Sequence, residues 1–349
     1  MNIIHLEDEP WDSGIAHYAL TLAVEQARQG HRVEFWGLSG SSVLKDAESR
    51  GLKTRGWAAI GAWLSIMTLR RDMAAFGAEV VNAHTGASHV LALAVAPAKA
   101  AVIRTRGDAR MPKAGFLARL AASRTTTLIA ANTELQARLE ESFPRSRVRL
   151  VCPGVPGPEA VAPMPSAPCV GMIARFDPVK GHDTLLDAAE ILKPEVSGLQ
   201  VLCAGDGADL GRLRGRLQPL GLEGTVRLPG RVEDKWTFLA SCRIGVVAST
   251  GSEAVSRAAL EWMAAGRPLV ASRVGGLADL VEHDVTGLLV PPNDADALAE
   301  AVRSLFDDPA RAEKMGAAAR ARWTNHFSLE PFYRSTQDVY AEAIDSLSR

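Results

Sequence analysis

The sequence predicts an α/β protein made of two doubly wound, parallel-sheet domains joined by an extended linker. Three observations carry that expectation. Short, continuously apolar runs alternate with amphipathic helical patterns, the signature of strands buried on both faces and of their covering helices. The segment Cys152–Pro168 holds six prolines between Pro153 and Pro168 and shows no periodicity, so it reads as an extended connection. It divides a chain of 349 residues into two pieces, each of ordinary domain size.

In the first half, Ile3–Leu6, Arg32–Trp36, Glu79–Ala83, Val102–Thr105, Thr127–Ala131 and Arg147–Val151 read as strands. Helical patterns fall between them at Ile15–Gln29 and Glu134–Glu141. In the second half the strands are Cys169–Ala174, Leu199–Ala204, Thr225–Leu228, Ile244–Ala248, Pro268–Ala271 and Gly287–Val290. Helices are expected at Thr184–Lys193, Leu210–Pro219, Lys235–Ala240, Arg257–Ala265 and Ala295–Phe306. The tail, Pro309–Arg349, carries only helical pattern. In open sheets of this kind ligands sit beyond the carboxyl ends of the strands. If the two domains turn those ends toward each other, a deep cleft between them is the expected active site.

Composition narrows the function classes. Apolar residues make up 47%, charged residues 23%, and the mean hydropathy is +0.02, which excludes a disordered or fibrous chain. The four cysteines, Cys152, Cys169, Cys203 and Cys242, form no C-x-x-C pair, and are expected as buried thiols in a reducing compartment. No apolar run reaches the roughly 20 residues that span a bilayer, and the opening residues lack the pattern of a signal peptide. A cytoplasmic protein is expected, with a peripheral place at the inner face of the cell membrane as its refinement. The net charge is −1. Residues 1–164 nevertheless carry 19 basic against 15 acidic side chains, and residues 165–349 carry 20 against 25. Lys99–Arg149 alone holds 11 basic and 4 acidic residues, which points to an anionic partner.

Three local matches mislead. Ile4–Pro10 resembles the acidic opening of a receiver domain, but the strand Glu79–Ala83 offers no acceptor aspartate at its end. Ala204–Gly211 resembles a dinucleotide fingerprint, but Leu210 occupies its third glycine position and it follows the second strand of its domain. Asp294-Ala-Asp296 has the spacing of a metal–nucleotide site, yet it opens an amphipathic helix and is explained by N-capping. No metal site is expected.

The residues with chemical promise cluster in the second half. Arg175 and Lys180 share one strand-to-helix loop, Arg175-Phe-Asp-Pro-Val-Lys180-Gly181, where two cations and a helix N-terminus suit a diphosphate. Glu253 and Glu261 are eight residues apart. Read along a helix, that step places them roughly on one side, about 12 Å apart, too far for a glycosidase-like acid/base pair and suited to two polar parts of an elongated ligand. Val274-Gly275-Gly276 offers bare backbone N–H groups, and Gly230-Arg231 marks a strand end meeting a helix start. In the first half, Asp12-Ser13-Gly14 follows the first strand, and Gly14 lets backbone approach a phosphate. His84 follows the strand Glu79–Ala83 and Arg104–Arg106 ends the next; both positions are expected to face the cleft, with His84 and Arg106 as candidate substrate contacts, although a lone histidine at a strand end is more often structural.

Taken in order, the segments Arg175…Lys180-Gly-His-Asp, Ala204-Gly-Asp-Gly, Val226–Gly230, Glu253-x7-Glu261 with Ala264-Ala-Gly-Arg-Pro, Val274-Gly-Gly and Thr286-Gly-Leu-Leu-Val-Pro-Pro resemble the retaining nucleotide-sugar glycosyltransferases of family 4, which have the GT-B fold. The first half resembles them more loosely, through Ser13-Gly14, Asn82-Ala-His84 and Val148–Gly154. The resemblance implies an acceptor-binding domain over 1–164, a nucleotide-sugar-binding domain over 165–330, and a helix over 331–349 crossing back to the first. It implies catalytic roles for Arg175 and Lys180 on the donor diphosphate and for Glu253 on the donor sugar, with Glu261 on the ribose and Gly14 near phosphate and sugar. Glu253-Ala254-Val255 stands where many members have Glu-Gly-Phe, so Ala254 and Val255 line an altered sugar pocket. Where many members carry a histidine, this chain reads Arg104-Thr-Arg106-Gly-Asp108, leaving Arg106 or Asp108 for the first-domain sugar contact.

The expected function is transfer of a sugar from a nucleotide-sugar donor to an acceptor hydroxyl, with retention and without cofactor or metal. The competing readings are a nonhydrolysing sugar-nucleotide 2-epimerase, a transferase using a soluble acceptor, and a binding protein descended from an enzyme. The Arg-x4-Lys loop paired with Glu-x7-Glu speaks against the first and last. Met111–Thr125 reads as a helix with Phe116, Leu117 and Leu120 on one side and Lys113, Arg119 and Arg124 elsewhere. With the basic balance around it, that pattern suits an anionic membrane surface and a lipid-linked saccharide, such as lipopolysaccharide core, as acceptor. The alternative is a helix that packs its apolar side on its own domain. No nucleic-acid partner is expected.

Overall fold

The computed structural model describes residues 1–10, 13–58, 66–107, 115–251 and 253–348. The chain forms two compact units, Met1–Gly154 with Leu329–Arg349, and Val155–Ser328. The division therefore falls ten residues ahead of the expected 164/165 boundary, and the terminal helix joins the first unit from Leu329.

The first unit runs β1 (Asn2–Glu7), α1 (Gly14–Arg28), β2 (Arg32–Leu38), α2 (Ser42–Ser49), β3 (Lys53–Trp57), α3 (Ile66–Phe76), β4 (Val80–Ala83), α4 (Gly86–Val95), β5 (Ala101–Arg106), α5 (Phe116–Ser123), β6 (Thr127–Ala130), α6 (Thr133–Ser142) and β7 (Val148–Leu150). Its seven strands are all parallel, in the order β3-β2-β1-β4-β5-β6-β7. The sequence expectation lacked the edge strand β3. Its segment, Lys-Thr-Arg-Gly-Trp, is mostly polar because one side of an edge strand meets water. Ile4, Leu6, Trp36, Val81 and Val102 form the core under α3 and α4.

The second unit contains β8 (Cys169–Ile173), a 3-10 turn at Pro178–Lys180, α7 (His182–Leu192), β9 (Gln200–Ala204), α8 (Leu210–Leu217), β10 (Val226–Gly230), α9 (Lys235–Ser241), β11 (Ile244–Val247), α10 (Arg257–Ala264), β12 (Leu269–Ser272), α11 (Leu277–Leu280), β13 (Gly287–Val290), α12 (Ala295–Asp307) and α13 (Pro309–Arg322). All six strands of its sheet are parallel, in the order β10-β9-β8-β11-β12-β13. Each expected strand of this half is present; β8, β11, β12 and β13 are buried along nearly their whole length and read as apolar runs, while the edge strand β10 alternates buried and exposed residues. The proline-rich connection is extended and packs on this unit. Arg267, fully buried, donates to the carbonyls of Ala162, Pro163 and Ala240 at 3.1, 3.0 and 3.0 Å. That explains the early boundary: a buried guanidinium needs acceptors, and the linker supplies two of them.

A π-helical turn, Trp323–Phe327, leads into α14 (Leu329–Leu347), which lies on the first unit. Phe332 packs edge-on to Tyr18, with centroids 4.8 Å apart, and Asn82 donates to the buried Tyr340 hydroxyl at 2.7 Å.

Candidate active site

In each sheet the strand order reverses at one point, between β1 and β4 and between β8 and β11. A crevice opens at such a point beyond the carboxyl ends of the two strands. In the second unit this topology puts the loop after β8, which carries Arg175 and Lys180, beside the loop after β11, which carries Glu253.

Phe176 anchors the first loop. Its ring is buried against His182, with centroids 4.8 Å apart, and its N–H donates to the Asp206 carbonyl at 2.9 Å. Asp177 caps the 3-10 turn by accepting from the Val179 N–H at 3.2 Å, and takes a hydrogen bond from Arg175 at 3.3 Å. Arg175 remains 65% exposed, so its guanidinium is available to an anion. Gly181 closes the loop at φ +74°, where a Cβ would collide with the Ala248 carbonyl oxygen. The Thr250 N–H donates to the Val179 carbonyl at 2.9 Å, which ties the two loops together.

Glu253 is buried at this junction. Its Oε1 accepts from Lys180 Nζ and from Ser249 Oγ, each at 2.5 Å, with the carboxylate 4% and Lys180 24% exposed. Its backbone carbonyl accepts the Gly276 N–H at 2.7 Å, and a Cβ on Gly275, at φ +50°, would press on that same carbonyl. Two expectations are corrected here. The Gly276 N–H is occupied by the protein rather than bare. The helical arithmetic between the glutamates also fails, because α10 begins at Arg257 and Glu253 lies on the loop before it. Glu253 is held by the two loops and Glu261 by the helix.

Glu261, 6% exposed, accepts on Oε1 from Lys235 Nζ at 2.7 Å and from Arg257 Nε at 2.8 Å. Ala254 is buried, Val255 half-buried and Arg231 exposed. Gly230 ends β10 at φ +86°, and its carbonyl accepts from Gly205 N–H at 2.8 Å. The glycine turn that resembled a dinucleotide fingerprint thus braces strand ends. Asp294 caps α12 by accepting from Ala297 N–H at 2.9 Å, as the capping interpretation required.

In the first unit, Ser13 caps α1 by accepting from Ala16 N–H at 3.2 Å, and Gly14 is exposed at its first turn. His84 is fully buried rather than presented at a strand end. Its Nε2 meets His5 Nδ1 at 2.9 Å, and His5 Nε2 meets Gln26 at 2.7 Å. Burial, with His5 and Arg104 nearby, holds the His84 imidazole well below its ordinary range. Arg106 is buried at the end of β5, and Asp108, with Asp12 and Lys113, lies outside the described residues.

Sequence reasoning missed Ser249, Lys235 and Arg257, the partners of the two glutamates. A buried carboxylate in an apolar helix signals that partners exist, but only the fold shows which residues they are. It also missed Glu7, at the carboxyl end of β1. Burial pushes its carboxyl up to about 8, and Glu9 and Asp8 add to the rise, against the Glu9 N–H and Arg104. Asp8 hydrogen-bonds Thr85, and Glu9 hydrogen-bonds Ser13.

Comparison with known proteins follows the same division. Residues 13–156 match the family described as Glycosyltransferase Family 4, and residues 162–322 match Glycosyl transferases group 1. The chain is 32% identical over 209 residues to an exopolysaccharide phosphotransferase of Streptomyces coelicolor, covering 59% of this chain and 22% of that protein. It is 33% identical over 246 residues to a D-inositol 3-phosphate glycosyltransferase of Thermobispora bispora, covering 63% and 57%. The chain thus spans less than two thirds of the length of either relative. Its fold matches that of Anabaena HepE, solved in complex with UDP and glucose, with a TM-score of 0.81 at 20% identity over 98% of this chain and 99% of that one. With both halves matched and the paired cation and glutamate loops in place, the chain belongs to the group 1, family 4 glycosyltransferases and has their GT-B fold.

Proposed function

We propose that the protein transfers a sugar from a nucleotide-sugar donor to an acceptor hydroxyl with retention of anomeric configuration. The observation that carries this is the meeting of Lys180 and Glu253 at one switch point, with Arg175 exposed on the same loop. Support for the donor class comes from HepE, whose structure holds UDP and glucose. Arg175 and Lys180 bind the donor diphosphate and offset the negative charge that grows on it as it leaves, the dominant contribution in such transfers. Glu253 holds the donor sugar and Glu261 the ribose. The acceptor oxygen bonds to the anomeric carbon on the face the diphosphate leaves, the bond from that carbon to the diphosphate oxygen breaks, and the hydroxyl proton passes to a departing phosphate oxygen. No protein base is then required. Two side-chain cations supply the positive charge, so the proposal includes transfer that survives chelation of divalent metals.

The acceptor proposed is a lipid-linked saccharide of the cell envelope, met at an anionic membrane surface. Support comes from α5. Phe116 and Leu117 are 79% and 77% exposed, Leu120 is also exposed, and only Ala122 of this helix is buried. The apolar side therefore does not pack on its own unit. Arg119 and Arg124 are exposed beside it. Among the described residues no helix is long and apolar enough to cross a membrane.

Thermal shift with UDP-, GDP- and ADP-sugars identifies the donor. Turnover without acceptor then separates slow hydrolysis from epimer formation, and NMR of the hydrolysed sugar reads its anomer. Epimer as the product, or an inverted anomer, overturns the proposal. Co-sedimentation with vesicles should rise with anionic lipid and fall with salt. Failure to bind anionic vesicles at low salt leaves a soluble acceptor.

A further inference from the structure

We infer that Lys235 and Arg257 are positioning residues for Glu261: by holding one of its carboxylate oxygens they aim the other at the ribose hydroxyls, and so set the preference for a ribonucleotide over its 2′-deoxy form. The inference rests on the ribose role proposed for Glu261 and adds to it the residues that make that role selective.

The geometry is specific. Lys235 opens α9 and Arg257 opens α10, so the two cations come from different elements. Both meet the same atom, Glu261 Oε1, at 2.7 and 2.8 Å. Among the described residues Oε2 receives no hydrogen bond. One cation is enough to neutralise a buried carboxylate. A second cation on the same oxygen does something further: it fixes the plane of the group, because two charge-assisted donors from different directions leave no free rotation. The arrangement parallels the way hydrogen bonds behind a ligating group orient it toward what it binds.

The exposures agree. The glutamate is 6% exposed, whereas Lys235 and Arg257 are 25% and 33% exposed. Lys235 also lies 4.8 Å above the Trp236 ring, which limits the directions its ammonium can take. The carboxylate is thus pinned from its Oε1 side by groups that are themselves restrained. A ribose presents two adjacent hydroxyls, and a fixed oxygen can accept from them in one orientation only. A site built to accept a ligand hydroxyl discriminates strongly against the analogue that lacks it, and loses that discrimination when its acceptor is free to turn away.

The test is calorimetric titration with whichever of UDP, GDP and ADP binds most tightly, and with its 2′-deoxy form. The unmodified protein should favour the ribonucleotide by about tenfold or more. Arg257→Leu and Lys235→Met should each reduce that preference to about threefold or less, while Arg257→Lys keeps most of it. In transfer assays the same two variants should raise KM for the donor with kcat within about twofold, a split that a general loss of folding does not produce. Should Arg257→Leu fail to fold, Lys235→Gln gives the same readout. If Glu261→Ala abolishes the ribose preference while both cation variants keep it in full, the inference is wrong and the ribose role stands. If Glu261→Ala leaves the preference unchanged, the ribose role itself falls, and the inference with it.

Discussion

Replacing Lys180 by alanine tests two consequences of one contact. The ammonium has a proposed role at the departing diphosphate, and it is also the cationic partner of a carboxylate that is 4% exposed. Loss of transition-state charge stabilisation should lower transfer by about 100-fold, roughly 2.7 kcal/mol of barrier. The structural cost is separate. Among the described residues Glu253 would be left with the Ser249 hydroxyl alone, and stranding one partner of a buried pair costs about 3–5 kcal/mol. Lys180 is 24% exposed, so water screens part of the pair, and the expected loss lies near the lower end, about 3 kcal/mol. The asymmetry supplies the refutation. Lys180 can turn to solvent when Glu253 is neutralised, but Glu253 cannot follow when Lys180 is removed. Urea unfolding should therefore rank Lys180→Ala as least stable, Glu253→Gln as mildly affected, and the double variant as recovering about 2 kcal/mol over Lys180→Ala. All three should transfer sugar poorly. If the double variant is no more stable than Lys180→Ala, the pair is not coupled as the 2.5 Å contact requires. Near-normal turnover in a folded Lys180→Ala protein would refute its role on the diphosphate.

The other predictions address the rest of the frame. Glu261→Ala should weaken nucleoside diphosphate as well as nucleotide sugar, whereas Glu253→Ala should weaken only ligands that carry the sugar; equal losses in calorimetry for both ligands in both variants would sink this division. Gly181→Ala places a Cβ on the Ala248 carbonyl oxygen at a φ of +74°, so it should lower both stability and transfer, and a variant with normal Tm and rate would show that the loop is not fixed there. Glu7 is held protonated by burial at a value near 8 against an ordinary 4.5, so the folded state binds the extra proton and stability falls as pH rises between those values. The total loss across that window is at most about 5 kcal/mol, and Glu7→Gln should flatten the slope in unfolding measured from pH 5 to 8; an unchanged slope would place the titration elsewhere.

What the sequence showed of this protein follows burial. Strands such as Cys169–Ile173 and Ile244–Val247 are covered on both faces, so their apolar runs identify them without context. Lys53–Trp57 is an edge strand and reads as loop. Arg175 and Lys180 were visible as candidates in the sequence because they share one strand-to-helix loop, and Glu253 and Glu261 because a carboxylate at the end of an apolar strand, or inside an apolar helix, is costly without partners. Their partners were not. Ser249 and Lys235 are 4 and 26 residues from the carboxylates they serve, in segments with no distinguishing pattern, and only the strand order brings Lys180 to Glu253 across 73 residues. His84 shows the reverse error. A histidine after a strand looks available, yet the His5 beside it in the neighbouring strand supplies a buried partner that the linear chain conceals.

The two glutamates share one mode of support. Neither carboxylate is placed by its own loop or helix alone. Glu253 is fixed through its backbone by the Gly275–Gly276 turn and through its side chain by Lys180 and Ser249, while Glu261 is fixed by cations from α9 and α10. Each acid therefore arrives already paired. A donor whose diphosphate draws Lys180 away from Glu253 must give that carboxylate a new partner, and sugar hydroxyls are the groups it brings. A nucleoside diphosphate without its sugar brings none, so it would leave Glu253 stranded and should gain little from Lys180. On this reasoning the sugar and the diphosphate bind cooperatively through one 2.5 Å contact, and neither fragment measures the affinity of the whole.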